Sequence, residues 1–88
     1  MAGPGTSRIE AGVIETVKRI SRRPVEPTLE SDLVADLGFD SLEVLELAAE
    51  LESRFGIVVP MEDLPQVRTI AQVIAQVARL MGERTPGV

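Results

Sequence analysis

The chain has 88 residues, a formal net charge of −5 and neither cysteine nor histidine. An apolar core in so short a chain leaves no material for a second domain and little for a large catalytic cleft. The missing cysteine removes disulfides and thiolate metal sites, and the missing histidine removes the commonest general base and metal ligand, so most hydrolytic and metal chemistry is disfavoured.

The opening segment MAGPGTSRIE has no basic region followed by an apolar run. No apolar stretch approaches the roughly 20 residues that span a bilayer, so a cytoplasmic protein without a membrane span is expected. Ser7 with Glu10 three positions on has the spacing of a capping box, and Ile9, Val13, Val17 and Ile20 follow at helical intervals. A first helix over about 8–21 is predicted. It ends in the basic cluster KRISRR, Lys18 to Arg23, which reads as cations complementing the helix dipole.

Pro24 and Pro27 forbid continuation. The stretch RRPVEPTLESDLVADLGF reads as a long ordered loop with Leu29, Leu33, Val34 and Leu37 as anchors. Asp40 with Glu43 repeats the cap signature, and SLEVLELAAELESRF runs in strong helix formers to Gly56, a natural left-handed terminator. At 100° per residue, Leu47, Leu51, Val44, Phe55, Ala48 and Leu45 share one arc of about 160°, the expected core face. The opposite arc holds Leu42, Glu46, Ala49 and Ser53, flanked by Glu43, Glu50 and Glu52. A single turn over 61–64 fits before Pro65. Thr69 with Gln72 then caps a last helix whose stripe is Ile70, Val73, Ile74, Val77 and Met81, ending at Gly82. The fold class is all-α, a bundle of three main helices plus one short helical turn, with a long loop between the first and second helices.

Charge is unevenly spread. Glu26 to Asp63 holds eleven acidic residues against Arg54 alone, so nucleic acid is a poor partner and basic protein surfaces are favoured. Leu42, an apolar residue in a helix's first turn among acids, reads as a docking point for a protein with a basic rim and an apolar notch.

Ser41 stands where the loop becomes the second helix. A cap is one reading, but Asp40 already holds that role. A nucleophilic serine needs a base, and with Lys18 the one lysine and no histidine, little supports it. The remaining reading is covalent attachment: a phosphodiester on Ser41 would sit at the positive end of the helix dipole, beside N–H groups free in the first turn.

The segment DLGFDSLEVLEL resembles the prosthetic-group site of acyl carrier proteins, and the resemblance runs without gaps from about Ser31 to Val77. It implies a free-standing carrier domain over 7–82, with flexible tails at 1–6 and 83–88. Ser41 would carry 4′-phosphopantetheine, taken from coenzyme A by a phosphopantetheinyl transferase with a divalent metal. Asp40, Leu42, Glu43, Glu46, Ala49, Glu50 and Glu52 would form the recognition face for acyl ligase, acyltransferase or ketosynthase type enzymes with basic docking surfaces. The chain itself would be a monomer that catalyses nothing.

Phe39 stands where fatty-acid carriers usually have a small residue, so LGFDSL resembles polyketide carriers more closely. Met61, Pro65 and Ser53 replace acidic residues usual in fatty-acid carriers. A fatty-acid or polyketide role is therefore implied, with a specialised aminoacyl or other non-fatty-acyl cargo, or an unmodified helical adaptor, as the alternatives.

Overall fold

The regular structure of the described residues, 4–84 of a computed structural model, is α1 (Pro4–Ile20), α2 (Ser41–Phe55), a 3₁₀ helix (Met61–Gln66) and α3 (Ile70–Arg84). This is the all-α bundle that the periodicities predict. α1 begins earlier than expected, so Pro4 to Thr6 belong to it and Ser7 lies within the helix instead of capping it. Proline's fixed φ suits the first helical position, where its missing N–H would have had no partner anyway. α3 likewise runs past Gly82 to Arg84; an interior glycine costs only about 1 kcal/mol relative to alanine, too little to stop it. Residues 1–3 and 85–88 of the expected tails lie outside the described residues.

α1 packs against both α2 and α3, whereas α2 and α3 touch each other less. Between the helices lie Ile9, Val13, Val17, Leu47, Leu51, Ile70, Val73, Val77 and Leu80, all buried. Burying such a side chain contributes about 1.5–3 kcal/mol. Gly12 sits at the α1–α2 contact, where a Cβ would lie 2.7 Å from Phe55 Cζ. Thr16 is also buried, and its hydroxyl donates to the Gly12 carbonyl at 2.7 Å, so it leaves no orphan donor.

The long loop is stitched to the start of α3. The Ile70 and Ala71 N–H groups, which a helix's first turn leaves without partners, donate to the Ser31 and Leu29 carbonyls at 3.0 and 2.9 Å. The Leu33 N–H donates to the Arg68 carbonyl at 2.8 Å, and Asp32 pairs with Thr69 as an isolated antiparallel bridge. The predicted Thr69–Gln72 cap is present, with the Gln72 N–H on Thr69 Oγ1 at 3.2 Å and the Thr69 N–H on Gln72 Oε1 at 3.0 Å. Leu33 and Leu37 anchor the loop as expected, but Leu29 and Val34 are exposed, and Phe39 is buried as well. The backbone hydrogen bonds of Leu29 and Leu33 set this outcome, because they fix which loop side chains turn inward. The 3₁₀ helix extends through Pro65, beyond the single turn predicted. It is tied to α3 by the Gln76 side-chain amide, which donates to Asp63 at 2.8 Å.

Candidate functional site

Three consecutive residues place Ser41. Gly38 has φ +74°, a left-handed conformation that side chains rarely adopt, and it turns the chain so that Phe39 enters the core at 2% exposure. Asp40 follows in extended backbone as the N-cap of α2: its Oδ1 accepts from the Glu43 N–H at 2.8 Å, and Glu43 Oε1 accepts from the Asp40 N–H at 3.0 Å. Ser41 is the first residue of α2 and is exposed. Its hydroxyl takes no part in capping, and the Ser41 and Leu42 N–H groups have no acceptor among the described residues. At the far end Gly56, φ +65°, terminates the helix as predicted.

Ser41 opens on a groove of about 530 Å³ between α2, the end of the long loop and the segment from Leu64 to Arg68 that precedes α3. Its apolar lining includes Val34, Leu45, Leu64 and Val67, and Asp32 and Arg68 also line it. A smaller apolar cavity of about 40 Å³ adjoins, sharing Leu33, Val44, Leu64 and Val67 with the groove. Leu45 was expected in the core but is exposed in this groove. The helical wheel placed it at the rim of the arc, where the groove between α2, the long loop and the segment before α3 leaves it uncovered. One signal pointed there: Leu45 stands four residues after Ser41, on the same side of the helix.

Of the residues predicted for recognition, Leu42, Glu46, Ala49 and Glu50 are exposed on one side of α2, and Asp40 is exposed beside Ser41 while its carboxylate caps the helix. Glu43 is not on that face. It is only 8% exposed, held by the capping box and with Arg22 Nε 3.9 Å from its Oε2. Glu52 is half-buried, its Oε2 accepting from the Val59 N–H at 2.8 Å, which fixes the chain leaving α2. Both carboxylates are taken up by the protein's own donors, a fate that angular spacing alone does not reveal.

Among the described residues no group of carboxylates is placed to hold a metal ion, and no helix is long and apolar enough to cross a membrane. The fold and site define a small helical bundle that presents an exposed serine at a helix start, beside an open groove. The model of the phosphopantetheine attachment site matches residues 11–77, and the chain belongs to that family. The meromycolate extension acyl carrier protein of Mycobacterium tuberculosis is 37% identical over 76 residues, covering 85% of this chain and 66% of the relative, so this chain spans about two thirds of its length. A solved structure of a Mycobacterium tuberculosis acyl carrier protein has a TM-score of 0.76 at 37% identity and covers 81% of this chain and 96% of that one. The acetyl actinorhodin acyl carrier protein of Streptomyces coelicolor has a TM-score of 0.63 at 25% identity, covering 89% and 91%. These relatives are named as acyl carrier proteins.

Proposed function

We propose that this chain holds acyl intermediates as thioesters on a 4′-phosphopantetheine arm attached to Ser41. It presents them to fatty-acid or polyketide type enzymes such as ketosynthases, acyltransferases and acyl ligases. The observation that carries the reading is the exposed Ser41 hydroxyl at the N-terminus of α2, with two unpartnered N–H groups beside it. A phosphodiester there meets free donors and the positive end of the helix dipole. The arm, once bound, supplies the thiol that holds the cargo. The groove beside Ser41 gives arm and cargo an apolar surface to lie on.

A phosphopantetheinyl transferase completes the scheme. Ser41 Oγ attacks the coenzyme A phosphorus that bears pantetheine, and the bond from that phosphorus to adenosine bisphosphate breaks. The serine proton passes to a base of the transferase.

Intact mass after incubation with coenzyme A and a broad-specificity transferase tests this. One phosphopantetheinyl adduct, mapped by peptide mass spectrometry to Ser41 and absent from Ser41→Ala, is expected. An adduct elsewhere, or none under conditions that load a control carrier, overturns it.

A further inference from the structure

The basic cluster that ends α1 does more than complement a helix dipole. Arg19 and Arg22 line a groove of about 450 Å³ opposite Glu46 and Glu50 of α2, with Ile20 and Ala49 also in its lining. The charges of opposite sign do not close on each other. Arg22 reaches Glu43 at 3.9 Å with its side chain still 72% exposed, while Arg19, Glu46 and Glu50 make no ion pair among the described residues. Two cations and two carboxylates therefore share one groove without satisfying one another.

Both signs of charge line the groove, so a wholly basic partner gains at the glutamates and loses at the arginines. All four charges line a single groove, so a partner that meets the glutamates also meets the arginines. Specificity arises as much from the repelled partner as from the accepted one. We propose that this groove, building on the carrier reading of Ser41, docks a protein whose contact element bears both signs of charge. An acidic side chain would face Arg19 and Arg22, a basic one would face Glu46 and Glu50, and an apolar residue between them would seat on Ile20 and Ala49. The recognition face is thus bipolar, and partners with a uniformly basic rim are selected against.

The test uses protein already carrying its arm, with attachment verified by mass. Three helical peptides of equal length and identical apolar residues serve as probes: one with lysines only, one with glutamates only, one with both at opposite flanks. Each is titrated into isotope-labelled protein while the amides of Ile20, Arg22, Glu46 and Ala49 are followed. The mixed peptide is expected to bind about fivefold more tightly than either other, as expected for a few exposed charge pairs. Arg19→Glu with Arg22→Glu should make the lysine peptide the tightest. Arg19→Gln with Arg22→Gln should abolish the preference for the mixed peptide over the lysine peptide without reversing it. Circular dichroism checks that both variants fold. The proposal is overturned if the lysine peptide binds wild type as well as the mixed one, if the ranking survives both variants, or if the groove amides do not move. Failure to load the arm would instead sink the reading of Ser41, so the two failures are separable.

Discussion

Gly12 of α1 and Phe55 of α2 meet so closely that a methyl group on Gly12 would lie 2.7 Å from the ring's Cζ and 3.1 Å from Arg54 Nε. Alanine gains about 1 kcal/mol of helix propensity over glycine, but overpacking a contact of this kind costs about 1–3 kcal/mol. Gly12→Ala is therefore expected to lower stability in the wild type and to raise it in a Phe55→Ala background. Chemical denaturation of the four proteins in the cycle reads both signs; the same sign in both backgrounds would mean that the ring moves aside freely.

Glu43 and Glu46 are three residues apart, and their substitutions should differ. Glu43→Ala removes one half of the capping box around a nearly buried carboxylate, with an expected loss of about 1 kcal/mol. Glu46→Ala changes an exposed side chain and should stay within about 0.5 kcal/mol of wild type. Melting temperatures compare them directly.

Asp32 predicts an acid-dependent stability. Its carboxyl lies below its ordinary value of 3.8, chiefly because the Ala35 N–H donates to it, with the Val34 N–H and the Arg68 guanidinium adding to the effect. A depressed folded value means that the stabilisation is fully present above the unfolded value near 3.8 and is lost as pH falls through the folded one. Asp32→Asn keeps an oxygen acceptor without the charge, so its acid unfolding curve should be flatter than wild type below about pH 4. Denaturant midpoints across acidic pH test this, and parallel curves would assign the loss to other carboxylates.

Leu42 is 57% exposed on α2, one residue from Ser41. If it seats in an apolar notch of the transferase, Leu42→Ala should slow arm transfer severalfold, as an interface anchor lost to truncation does. Added salt should not reproduce the loss, because no charge is removed. Initial transfer rates at two ionic strengths measure it, and an unchanged rate would leave Leu42 outside the contact.

Local signals were legible at most places where the residues that make a feature are neighbours in the chain, although Ser7 with Glu10 does not start α1 and Gly82 does not end α3. Asp40 with Glu43, Gly56, and Thr69 with Gln72 all do what their spacing implies. The apolar stripes of α1 and α3 are likewise where helical periodicity puts them, with Leu80 added to the core. What spacing did not carry was pairing across elements. The hydrogen bond from Val59 to Glu52 and the approach of Arg22 to Glu43 withdrew two carboxylates from the surface. Leu45 faced a groove that the long loop and the segment before α3 leave open, and Phe39, at a position noted only for its departure from fatty-acid carriers, is buried two residues before Ser41.

The stitching of the long loop to α3 also constrains how the molecule assembles. Because Ile70 and Ala71 donate to Ser31 and Leu29, the first turn of α3 gains these hydrogen bonds only after a segment about forty residues upstream has settled. Loop and helix start therefore open together, as one cooperative unit, and the amides of Leu33, Ile70 and Ala71 should exchange with solvent at a common rate. The loop part of that unit, Asp32 to Val34, lines the groove beside Ser41, so widening the groove on that side is tied to the free energy of that opening.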